Sequence, residues 1–114
     1  MSTQINQYII YGIKLNYEDY KGDVWYDKFE PYMDSPFKGI KHHNGLCVLF
    51  DGMDGDYIVI GHVVYKTDDG GHFADAVPIG ELSDREREFV RNNINLAFGI
   101  DAENSQYYVV GHYR

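Results

Sequence analysis

Histidine, cysteine, serine and paired carboxylates carry most protein chemistry, and this sequence holds each of them in a setting that limits what it can do. The histidines are His42, His43, His62, His72 and His112. A closed structural zinc site takes four ligands, usually with thiolates at short spacing. The only cysteine is Cys47, set among Leu46, Val48, Leu49 and Phe50, where it reads as a small packed hydrophobe. His62 and His112 each follow a glycine at the end of a bulky run. On adjacent strands they would face one another and, with a nearby acid, offer a two-histidine metal site. Their commoner role is that of ordinary sheet histidines with hydrogen-bonded rings. The sequence implies no metal and no cofactor.

Other catalytic patterns fail on spacing. Asp51 to Asp56 superficially resembles a calcium loop, yet its third position is Met53, its fifth is Gly55 and its twelfth is His62, where acids or amides and a final glutamate are needed. Its two Asp-Gly pairs suit a hairpin connection instead. A nucleophile needs a histidine base oriented by an acid. Ser35, Ser83 and Ser105 sit in turn or cap contexts, and Cys47 is expected to be buried. Asp68-Asp69-Gly70-Gly71 has glycines for a phosphate cradle, but its acids would repel phosphate. Nothing here names a reaction, which favours a binding protein and leaves an enzyme as the third reading.

The distinctive surface is an aromatic-acidic segment, Tyr17 to Phe37. It holds Tyr17, Tyr20, Trp25, Tyr26, Phe29, Tyr32 and Phe37 among Glu18, Asp19, Asp23, Asp27, Glu30 and Asp34. Aromatic anchors ringed by acids suit an interface with a basic protein. Tyr20, Asp23, Trp25, Tyr26, Asp27 and Glu30 are the candidate partner-binding residues. The competing reading makes the same rings an irregular layer over an open sheet face. Both hold if some rings face inward and others outward.

The elements that would position these residues follow from periodicity. Tyr8 to Leu15 places Ile9, Tyr11, Ile13 and Leu15 on one face at period two, which predicts a strand. Asn16 to Lys41 has helical spacing, with Gly22, Pro31, Pro36 and Gly39 as breakers, and predicts one or two short helical turns. Leu46 to Phe50 and Tyr57 to Lys66 are further strands, the second expected to lie centrally. Ser83 and Glu86 form a capping box ahead of a helix. Phe89, Val90, Ile94 and Ala97 make its core stripe, and Gly99 stands beyond its end. Gln106 to Tyr113 is a terminal strand without acid, lysine or arginine. Tyr8 to Gly12, Tyr57 to Gly61 and Tyr107 to Gly111 share tyrosine, three bulky residues and glycine, and on neighbouring strands their glycines would form a shallow groove. The first and last strands are expected at the sheet edges, where unpaired backbone would support a homodimer.

At 114 residues, one domain, 1–114, can bury a core without disulfides or metal. Met1 to Gln7 lacks the basic start and apolar run of a signal peptide, and no apolar stretch is long enough for a membrane span. A cytoplasmic location and no membrane contact are expected. A net charge of −8 opposes direct nucleic-acid binding and permits a basic partner.

The run Phe50 to Gly61, the opening Tyr8-Ile9-Ile10-Tyr11-Gly12 and the ending Tyr107 to Arg114 together resemble small uncharacterised proteins encoded by bacteriophages. The resemblance implies action in the host cytoplasm and inhibition of host defence enzymes, CRISPR or restriction nucleases among them. It carries no catalytic residues. The reading is an α+β fold, with about four mainly antiparallel strands and one main helix on one face. The expected function is that of a non-enzymatic phage-type inhibitor or regulator acting by protein binding. The alternative is a small-ligand or nucleotide-binding module, formed within the chain or between subunits.

Overall fold

The structure is a computed structural model and describes residues 5–33, 45–51, 55, 57–67 and 80–113. Strand β1 (Ile5–Leu15) leads into α1 (Tyr17–Tyr20), α2 (Asp23–Phe29) and a 3-10 turn (Glu30–Tyr32). Then come β2 (Cys47–Phe50), β3 (Ile58–Lys66), α3 (Asp84–Phe98) and β4 (Gln106–Tyr113). The strands form one antiparallel sheet in the order β2-β3-β1-β4. This is the expected α+β arrangement, with α3 as the one long helix among the described residues. The first strand does not lie at an edge. β1 is central, paired with β3 along one side and β4 along the other.

Local chemistry sets the helices. The Asn16 side chain accepts from the Glu18 N–H and opens α1, and Gly22 separates α1 from α2. Ser83 and Glu86 exchange the two hydrogen bonds of a capping box at 3.0 and 3.1 Å. Gly99 closes α3 in the left-handed conformation, φ +68°, which costs any other residue about 1 kcal/mol or more.

Alternation along the strands builds two cores. On one face Tyr11, Ile13, Leu15, Val48, Ile58 and Ile60 pack beneath Val90, Ile94 and Phe98 of α3 and Phe29 of α2. The helix stripe is therefore Val90, Ile94 and Phe98, with Ala97, also expected there, packed at its margin. Phe89, expected in the core, is 61% exposed, one position off the Val90, Ile94 and Phe98 stripe that packs on the sheet. On the other face Tyr8, Ile10, Cys47, Leu49, Val59 and Val110 are buried together.

The sheet is folded rather than flat. Gly12 and Gly61 are register partners, and a methyl added at either would collide with backbone across the pair, Gly12's lying 2.6 Å from the Gly61 Cα. At the far end of β4, Gly111 pairs with Gln7, while Ile58 pairs with Leu15. An extended strand puts Gln7 and Leu15 roughly 25 Å apart. Yet the hydroxyl of Tyr57, next to Ile58, donates to the Gly111 carbonyl at 3.2 Å. The two ends of the sheet must therefore approach each other across its second face. Lys14 and Val59 from one end and Val110 and Gly111 from the other line a common hollow of about 230 Å³ there. The expected groove of three glycines is thus a pair at the fold, with Gly111 out of register.

Candidate functional site

Helical spacing decides where the segment after β1 points its side chains. In α2, Trp25 and Phe29 lie one turn apart and face the core: Phe29 is fully buried, and Trp25 packs against the same cluster. Their rings stack at 5.6 Å, and Tyr20 meets Trp25 edge-on at 4.8 Å. Lys28 covers Trp25 with its ammonium 4.5 Å from the ring centre. Tyr20 and Trp25 therefore belong mainly to the layer over the sheet.

Asp23, Asp27 and Glu30 fall on the opposite side of the same turns, and all three are exposed. None of them makes an ion pair among the described residues, where Lys21 binds Glu18 and Arg87 binds Asp84. Val24, 70% exposed, and Tyr26, 41% exposed, flank this row on its two sides. Tyr26 keeps its ring edge-on to Phe50 at 5.5 Å, so one edge is anchored while the other meets solvent. Val24, not singled out from the sequence, is the apolar residue that completes this surface. Its signal was available, since it lies one residue before Trp25 and so off the buried face of the helix.

A second arrangement lies beneath the N-terminal half of α3. Tyr107, Tyr11 and His62 occupy matched positions on β4, β1 and β3 and project from the same face. The Leu82 N–H donates to the Tyr107 hydroxyl at 2.9 Å, and Arg91 donates to the Tyr11 hydroxyl at 2.7 Å. Tyr11 and Tyr107 rings are 5.0 Å apart. The Tyr107 hydroxyl is also the main influence pushing the Arg87 guanidinium above its ordinary pKa, with Asp84 adding to it. At the far end of the row, His62 Nδ1 lies 3.0 Å from the Gly45 carbonyl. Beside it opens a mainly apolar groove of about 550 Å³, lined by His62, Leu82, Arg85, Glu86, Phe89 and Val90 among others. Glu86 is held below the ordinary glutamate pKa, first by the backbone N–H of Ser83 and then by its hydroxyl, with a smaller pull from His62.

His62 and His112 are not on adjacent strands. β1 lies between their strands, and His62 pairs with Tyr11 while His112 pairs with Asn6. No group of three metal-binding side chains exists among the described residues. His42, His43 and His72 lie outside them, as do Phe37 and most of the Asp51 to Asp56 connection. Among the described residues no helix is long and apolar enough to cross a membrane. No family model, curated protein or solved structure matches the chain.

Proposed function

We propose that the protein is a non-enzymatic inhibitor or regulator that binds a basic protein surface through the outer face of α2. One observation carries this reading: Asp23, Asp27 and Glu30 form a row of exposed carboxylates without ion pairs among the described residues, bordered by exposed Val24 and Tyr26. Unpaired surface carboxylates attract a cationic partner over about a Debye length and orient its approach. Val24 and Tyr26 supply apolar area that is desolvated on contact and slows dissociation. Tyr20 and Trp25 support the surface from beneath. The most specific form of the proposal, inhibition of a host defence enzyme, draws only on the likeness to phage-encoded proteins.

The test is parallel affinity capture with the wild-type chain and the triple variant Asp23→Asn, Asp27→Asn, Glu30→Gln, followed by association kinetics on the partner recovered. The variant should associate more slowly, with a flatter salt dependence and an unchanged melting temperature. Equal rates and equal salt slopes would remove α2 from the interface.

The groove beside His62 supports a second reading, a small-ligand or nucleotide-binding module. Amide and imidazole chemical shifts at His62, Glu86 and Phe89 should then move saturably with one compound of a nucleotide panel. Flat titrations across the panel would retire it.

A further inference from the structure

The two edges of the sheet end differently. Beside β2, Met33 bridges in parallel to Val48 and occupies part of that edge. Among the described residues, β4 has β1 as its only strand neighbour in the sheet order. Which of its backbone groups face outward follows from Gln7. A residue in an antiparallel sheet directs its N–H and C=O to the same side, and successive residues alternate. Gln7 uses both groups on its β3 side: its N–H donates to Thr67 Oγ1, and its carbonyl accepts from the Thr67 N–H, each at 2.9 Å. Gly111, directly opposite Gln7 on β4, therefore turns its own N–H and C=O away from β1. By alternation Val109 and Tyr107 do the same, and Gln106, Tyr108 and Val110 hold the ladder to β1.

We propose that this edge pairs with the same edge of a second copy, giving a two-fold dimer whose sheet runs continuously through both, with Val109 beside the axis. Charge selects the occupant. The molecule carries −8, so two copies repel over most of their surfaces, whereas Gln106 to Tyr113 contains no acid, lysine or arginine. Two such strands can lie antiparallel with no like charges opposed. A two-fold axis beside Val109 would set Tyr107 of one copy opposite Gly111 of the other, both with outward-facing backbone groups. Val109 is 68% exposed on the α3 face of the sheet, and its own copy would cover it. The Gly111 carbonyl already accepts from Tyr57, but a carbonyl oxygen has two lone pairs and can take a second donor.

The same geometry supplies a selective test. Proline at an outward position removes a donor from the edge and none from the ladder to β1. Analytical ultracentrifugation of the full chain over a wide concentration range should show a monomer-dimer equilibrium. Val109→Pro and Val109→Lys should each raise the dimer dissociation constant by roughly tenfold or more at an unchanged melting temperature. Should proline disturb the fold, the lysine variant decides, since its side chain replaces an exposed one. In the wild type, hydrogen exchange at the Tyr107 and Val109 amides should slow as concentration rises. A wild-type chain that stays monomeric at high micromolar concentration would overturn the proposal. So would a dimer unaffected by either substitution, or one that leaves those amides unprotected.

Discussion

Gly12 and Gly61 face each other across β1 and β3, each so close to the other's backbone that neither position has room for a methyl group. The obstructing atoms are main chain, including the Ile60 carbonyl and the Tyr11 carbonyl, and cannot swing aside as a side chain would. Gly12→Ala and Gly61→Ala should each destabilise the protein by about 3 kcal/mol or more, the upper range for overpacking. Denaturant titration measures this directly. A loss of under about 1 kcal/mol would show that the pair can spread apart.

The hydrogen bond from Tyr57 to Gly111 joins the two ends of the folded sheet. Tyr57→Phe keeps the ring and deletes the hydroxyl, and should cost about 1 kcal/mol. Its more particular signature is faster hydrogen exchange near Gly111 with little change in α3. Uniform loss of protection would mean that the hydroxyl supports the whole fold rather than the closure.

Acid should loosen α3 through its cap. Glu86 has its pKa lowered in the folded chain by the Ser83 N–H and hydroxyl. A group whose folded pKa lies below its unfolded value contributes stability above the unfolded value and loses it as pH falls through the folded one. Ser83→Ala should cost about 1 kcal/mol at neutral pH. Glu86→Gln should flatten the acid limb of the stability profile. Parallel acid limbs for wild type and Glu86→Gln would count against this role.

Packing and binding separate within α2. Trp25→Ala removes a ring lodged between Tyr20, Phe29 and Lys28 and should lower stability by about 2 kcal/mol. Val24→Ala, on the exposed side, should change stability by less than about 0.5 kcal/mol while speeding dissociation from the partner. Thermal melts and dissociation rates measured on both variants distinguish a surface from a lid.

Features governed by near neighbours are readable in the sequence. The capping box spans four consecutive residues, Gly99 is adjacent to the helix it ends, and the acidic row follows from one helical period. The buried setting of Cys47 follows from the apolar run around it. Features that depend on who stands beside whom are not readable in this way. Phe89 and Val90 are equally plausible core residues until the side on which the sheet lies is known. The tyrosine-to-glycine runs look equivalent in β1, β3 and β4, yet register opposes Gly12 to Gly61 and leaves Gly111 beside Gln7. Position in the chain likewise does not determine position in the sheet: β1, the first strand, is central, while β4, the last, lies at an edge. Tyr11 with Arg91, and His62 with Glu86, are brought together only by the way α3 crosses the strands.

The sheet order also governs when the fold can be completed during synthesis. β1 emerges first of the four strands, and its partner on one side, β4, emerges last, with Ile5 paired to Tyr113. Residues 5–15 must therefore leave the ribosome with one row of amides and carbonyls unmatched, and keep it so until α3 and β4 have followed. Closing so long a chain segment is slow compared with forming α3 from its own local contacts. In that interval the exposed side of β1 is the part of the nascent chain most open to pairing with the wrong strand, including β4 of a finished molecule.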